Sequence, residues 1–279
     1  MSDPSLVERL GYAPDARLVI LNCDDLGSSH AANLAALEAV EQGLATSATL
    51  MVPCPWALGG ARMFAGKDIG VHLTLTAEYP AYRWRSLTGA TTLRDAEGFL
   101  PRTAGEVWAN ARYEDVAAEC RAQIDQALAW GVDVTHLDSH MGVNQSNQRY
   151  YGLYLDLAEA YDLPLRMAGP RADAALGFPI HAPAAAKGIV HPDDFHFRWK
   201  EPTIEVMKAR LPQMAPGVTE FLIHPVLDGP ELRGYDLDAA QVRVDDHACA
   251  LDPGLRALFE AEGLQRISFR PLRDLQRAS

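Results

Sequence analysis

The sequence predicts an α/β fold, a distorted (β/α) barrel of seven or eight mostly parallel strands. Apolar strand-like runs alternate with helix-like stretches from end to end, the pattern of parallel strands joined by helical crossovers. The chain has 279 residues, near the roughly 250 typical of such barrels. No internal repeat, low-complexity run or linker divides it. Residues 1–279 therefore read as one barrel domain, with a long loop insertion at about 77–112.

The first strand is the apolar run from Leu18 to Leu21, which leads into Asn22-Cys23-Asp24-Asp25-Leu26-Gly27. A continuous run of this kind suits a strand covered on both faces. Ser28 or Ser29 can cap a helix over about 30–42, with Leu34, Leu37, Val40 and Leu44 on one stripe and Gly43 as its stop. A strand at about 47–52, a short helix at 56–64 and a strand at 69–76 containing His72 follow. Periodicity then breaks down across 77–112, where Tyr79, Tyr82, Trp84, Phe99 and Trp108 mix with prolines and Gly89. A connection this long suggests a lid or substrate wall.

The clearest helix spans 113–130, with Val116, Cys120, Ile124 and Ala127 at helical spacing and Gly131 as its stop. Beyond it the pattern gives a strand at 134–138 running into Ser139-His140, a helix at 148–161 and a strand at 163–167 containing Arg166. A loop at 169–186 and a strand at 188–191 follow, then a helix at 202–211 and a strand at 218–223 ending in His224-Pro225. A polar loop, a helix at 253–263 and a strand at 266–269 complete the chain.

The formal net charge of −12 argues against nucleic acid or an anionic membrane surface as partner, since both select basic patches. No apolar run approaches the ~20 residues of a bilayer span. The start, Met1-Ser2-Asp3-Pro4-Ser5, lacks the basic and apolar parts of a secretory signal. Cys23, Cys54, Cys120 and Cys249 have no CxxC spacing and read as buried free thiols. These features point to a cytoplasmic protein acting on a small or neutral substrate.

In such barrels the active site lies at the C-terminal ends of the strands. The unusual polar residues fall there: Asp24 and Asp25 after the first strand, His140 after the fourth, Arg166 at the end of the fifth and His224 after the seventh. His72 lies within the third strand. Two adjacent carboxylates repel unless a cation sits beside them. His136, Asp138 and His140 alternate along one strand face, which is costly to bury unless it lines a site. Together these residues point to a metal centre.

The same residues make the chain resemble the YdjC-like carbohydrate deacetylases. Asn22-Cys23-Asp24-Asp25-Leu26-Gly27 is similar to that family's Asn-Ala-Asp-Asp-Phe-Gly opening, and Thr46-Ser47 to its next strand entry. Gly70-Val71-His72-Leu73-Thr74-Leu75-Thr76 is similar to its Gly-x-His-x-x-Leu-Thr pattern, His136 to His140 to its His-x-Asp-Ser-His motif, and His224-Pro225 to its late His-Pro. The resemblance runs over about 17–270.

It implies a barrel related to the NodB-type deacetylases and one divalent ion, magnesium or zinc, held by Asp25, His72 and His140. Asp24 would be the general base and His224 the general acid. Arg166 would hold Asp24 or touch substrate, and His136 or Asp138 would orient His140. The implied reaction removes an acetyl group from an N-acetylated sugar, giving acetate and a free amine, and a homodimer is implied as plausible. Relatives continue past the metal histidine with further histidines; here Met141-Gly142-Val143-Asn144 stand instead, which bears on substrate and metal preference. The competing expectations are hydrolysis of another amide or ester on the same barrel, and sugar binding without turnover.

Overall fold

The computed structural model describes residues 4–199 and 201–278. Met1, Ser2, Asp3, Lys200 and Ser279, which fall within the expected domain bounds, lie outside the described residues. In chain order the elements are α1 (Leu6–Arg9), β1 (Arg17–Leu26), α2 (His30–Glu41), β2 (Ser47–Leu50), α3 (Ala57–Met63), β3 (Ile69–Leu73), α4 (Ala104–Asn110), α5 (Tyr113–Ala129) and β4 (Val134–Ser139). They continue with α6 (Gln148–Tyr161), α7 (Ala172–Leu176), α8 (His181–Ala186), β5 (Asp194–His196), α9 (Thr203–Arg210), β6 (Gly217–Ile223), α10 (Pro230–Tyr235), α11 (Ala240–Leu251), α12 (Pro253–Ala261), β7 (Gln265–Arg266) and α13 (Arg270–Arg277).

The strands form one parallel curled sheet, in the order β4-β3-β2-β1-β6-β5, as an α/β half-barrel. β1 is its centre. One edge pairs with β6 from Arg17 to Cys23. The other pairs with β7 at Leu18 and Val19, then with β2 from Asn22 onward.

The two faces of β1 divide the molecule. Val19, Leu21 and Cys23 pack with Ala32, Ala36 and Ala39 of α2. Leu18 and Ile20 face the opposite way, onto Val7, Val218, Ile267, Phe269 and Leu272. Each such Leu or Ile stabilises the fold by about 1.5–3 kcal/mol through burial. This apolar plug fills the lower half of the barrel. The next residue on the same face is Asn22, then Asp24, so a polar layer sits directly on the plug.

Several details differ from the sequence expectation. The expected stripe of α2 is buried only in part: Leu44 is buried and Leu37 and Val40 pack against the core, but Leu34 is 36% exposed, and the helix's most buried residues include Ala32, Ala35, Ala36 and Ala39. Small side chains let the helix lie close on β1. The expected strand at 163–167 makes only a single parallel bridge, Leu165 to Leu137. No strand forms at 188–191; Leu165 N donates to Val190 O instead, and the strand comes later, as β5. These two extended segments lie side by side beyond β4 as irregular backbone. The last strand is two residues, Gln265–Arg266, rather than 266–269. The loop at 169–186 contains α7 and α8, the 77–112 connection contains α4, and the polar stretch before 253 contains α10 and α11.

Candidate active site

Adjacent strand residues point to opposite faces, yet Asp24 and Asp25 both line one cavity. The backbone explains this. Cys23 pairs with Ala48 but Leu26 pairs with Leu50, so β1 carries an extra residue against β2. Asp25 sits at φ 64°, in the left-handed region. This bulge turns the Asp25 side chain back to the Asp24 side. Strain in a non-glycine residue costs of order 1–3 kcal/mol and collects at functional sites. Met141, next to His140, is also left-handed, at φ 52°. Gly27 follows at φ 90°, where a Cβ would come within 2.8 Å of the Ala57 backbone.

Asp25, His72 and His140 meet across the cavity floor. Asp25 Oδ1 lies 3.4 Å from His72 Nε2 and 3.2 Å from His140 Nδ1, and the two nitrogens are 3.2 Å apart. All three residues are buried, and Asp25 Oδ1 has no hydrogen-bond partner. Tetrahedral zinc ligands at 2.0–2.2 Å stand about 3.3–3.6 Å from one another, so the triangle is the size an ion requires. Each imidazole is also backed by a carboxylate at its other nitrogen, as metal-binding histidines commonly are. Asp138 Oδ1 holds His72 Nδ1, and Glu78 Oε2 lies 3.1 Å from His140 Nε2.

The charges agree. Burial would favour neutral rings, but Asp138 and Asp25 overcome it at His72 and raise its pKa to about 9. Against the same burial, Glu78 and Asp25 raise His140 to about 10. Burial would also raise Asp25; His140, His72 and Arg243 outweigh it and hold the carboxyl well below its ordinary value. The carboxylates around the two imidazoles thus favour positive charge at this point.

Asp24 is held differently. Arg166 grips it with two bonds, Nη1 to Oδ2 and Nη2 to Oδ1, both 2.6 Å, and Asn22 Nδ2 adds a third at 2.8 Å. Burial opposes its charge, but the guanidinium prevails and the pKa is about 2. Arg166 also reaches Asp138 Oδ2 at 2.6 Å and Glu220 Oε1 at 2.8 Å. Asp24, His72 and Asp138 form a second cluster of metal-ligand type, but the guanidinium already supplies its positive charge. Burial, then Asp24 and Asp138, push Glu220 up to about 8 despite Arg166.

His224 lines the same cavity. Its backbone N–H donates to Asp246 Oδ2 at 2.8 Å, while its buried Nδ1 lies 3.7 Å from that oxygen and has no hydrogen-bond partner. Phe197 and Trp199 flank the ring edge-on, at 5.4 and 5.2 Å.

Every expected site residue except His136 lines this cavity or bonds a residue that does. The expectation puts Asp138 or His136 behind His140. Asp138 instead backs His72, and Glu78 stands behind His140. His136 stacks on Phe269 at 3.7 Å in the barrel interior, where burial and then Arg166 hold its pKa well below the ordinary value. Of the aromatics in the 77–112 connection, Trp84 is buried with its Nε1 on Thr76 O, and the Tyr79 hydroxyl accepts from Arg243. Trp199, 43% exposed, faces the cavity. Cys23 packs into the core with α2, on the face of β1 opposite Asp24, and burial raises its thiol well above the usual pKa.

Sequence reasoning missed Glu78, Glu220, Arg243 and Asp246. Glu78 lies in an aperiodic loop with no local signal. Arg243 and Asp246 share the buried face of α11 with Ala240, Cys249 and Ala250. That spacing becomes visible only once 240–251 is read as a helix.

The molecule is a parallel α/β half-barrel whose C-terminal rim carries a carboxylate–bis-imidazole cluster that could hold a metal ion, beside a second, fixed carboxylate. The chain belongs to the YdjC-like family, whose model matches residues 18–261. It is similar to a protein named carbohydrate deacetylase from Geobacillus stearothermophilus, with 32% identity over 91% of this chain and 97% of that one. It is 46% identical to a carbohydrate deacetylase from Thermus thermophilus, over 57% of this chain and 56% of that protein's length. Among solved structures it resembles a protein from Enterococcus faecalis described as a cellobiose-phosphate cleavage protein. The TM-score is 0.78 at 23% identity, covering 92% of this chain and 99% of the other, which is a likeness of fold.

Proposed function

We propose that this protein is a divalent-metal-dependent deacetylase that releases acetate from an N-acetylated sugar and leaves a free amine. The observation that carries the proposal is the unpartnered Asp25 Oδ1 facing two imidazole nitrogens, with Asp24 fixed alongside by Arg166. The names of the relatives support the substrate class. Asp25, His72 and His140 would hold the ion, and their two nitrogens and one carboxylate suit zinc better than magnesium, which prefers oxygen. Such an ion polarises an amide carbonyl and lowers the pKa of water.

The chain's own groups do the rest. Asp24 stays ionised throughout the neutral range and acts as general base, aimed by the Arg166 fork. A pKa of about 2 makes it a weak base, so position compensates for basicity. His224 lines the same cavity with its Nδ1 buried towards Asp246, and its other ring nitrogen would donate a proton to the departing amine. Trp199 and Phe197 flank that ring edge-on. The cavity, about 1020 Å³, has room for a sugar of more than one ring.

The test is acetate release from a panel of N-acetylated mono- and oligosaccharides, with simple amides and esters as controls. Activity is expected on an N-acetyl sugar, lost with chelator and restored by zinc. Asp24→Asn is expected to keep the metal and lose turnover by at least about 100-fold, the scale of a general base. Turnover unaffected by chelation, or near-normal activity of Asp24→Asn, would refute the mechanism.

A further inference from the structure

Arg243, on α11, is buried, and each of its three guanidinium nitrogens makes a hydrogen bond. Its Nη1 donates to Asp25 Oδ2 at 2.8 Å, its Nε to Asp236 Oδ2 at 2.8 Å and its Nη2 to the Tyr79 hydroxyl at 2.7 Å. Its guanidinium lies 5.6 Å from the Trp199 ring centre. The three anchors come from separate places: the bulge of β1, the residue after α10 and the loop after β3. The two oxygens of Asp25 are therefore unequal. Oδ2 is taken by Arg243, while Oδ1 is unpartnered and faces His72 and His140.

We infer that Arg243 is a positioning residue that makes Asp25 a single-oxygen metal ligand. The inference rests on the metal-dependent function proposed above. A carboxylate can give a divalent ion one oxygen or two. The two-oxygen mode would consume a position that a catalytic ion must keep open. A buried, charge-assisted Arg–carboxylate bond is strong enough to decide between them, and Asp236 and Tyr79 stop the fork from turning away. The same cation repels the bound ion, so affinity is given up in exchange for an open coordination sphere.

The test uses Co2+ alone as probe, titrated into ion-free wild-type protein and Arg243→Gln while visible absorption is followed. The variant is expected to bind one Co2+ at least as tightly as wild type, with weaker, shifted bands marking an added ligand oxygen. A merely structural role would lower stability or uptake and leave the bands of the bound ion unmoved. Superposable spectra of the two loaded proteins overturn the inference. If Arg243→Gln does not fold, Asp236→Asn loosens the same fork with Arg243 in place and is expected to shift the bands in the same direction; unmoved bands there overturn it equally. A wild-type protein that takes up no Co2+ overturns the metal-dependent function, and this inference with it.

Discussion

Asp25 departs from strand behaviour in both backbone and side chain, and the two departures serve one end. Its left-handed φ brings it to the same side as Asp24, and Arg243 takes Oδ2 and leaves Oδ1 unpartnered between the two imidazoles. The neighbouring imidazoles make this measurable. Ion-free, His72 and His140 have pKa values of about 9 and about 10, raised from the ordinary 6.5. A pKa raised on folding adds stability that is fully present below the unfolded value and lost as pH rises through the folded one. The ion-free protein should therefore weaken between pH 7 and 10. A bound ion needs both ligand nitrogens unprotonated, so binding at pH 7 should expel about two protons. Zinc calorimetry in buffers of different ionisation enthalpy reads that number directly; no net release would contradict the charge state. The residues gathered at the cavity were legible from the sequence because aspartates at a strand end and histidines at strand exits are chemically unusual. Glu78 and Arg243 were not, because their roles come from tertiary proximity alone.

At the scale of elements, β1 and α5 carry the most positional information. β1 was legible because its apolar run is unbroken. Its bulge was not, since Asp24-Asp25 reads equally as a turn. In α5 the buried stripe Val116, Cys120, Ile124 and Ala127 matches the sequence expectation. The same face adds Glu119 and Gln123, which grip the backbone of the loop and of the strand exit: Gln123 bonds both N and O of Thr74, and Glu119 accepts from Leu87 and Thr88. The segments at 163–167 and 188–191 misled because extended backbone and ladder pairing share one apolar signal. β3 gives a test of close packing. A Cβ on Gly70 would come within 2.7 Å of the His136 ring and carbonyl oxygen. Gly70→Ala should destabilise the protein by about 1–3 kcal/mol, read as a lowered urea midpoint with unchanged slope. An unchanged midpoint would mean that His136 is free to move.

In the whole molecule, an apolar lower barrel supports a polar upper one, and the transition occurs within two residues of β1, from Ile20 to Asn22. Above it, Arg166 binds Asp24, Asp138 and Glu220, so one guanidinium ties together carboxyl groups from three separate parts of the chain. Among the described residues no helix is long and apolar enough to cross a membrane. The most direct test of the central claim is anomalous X-ray scattering at the zinc edge from a crystal grown with zinc. A single peak about 2.0–2.2 Å from Asp25 Oδ1, His72 Nε2 and His140 Nδ1 is the predicted result. A peak elsewhere, or none with those three atoms still in contact, would contradict it.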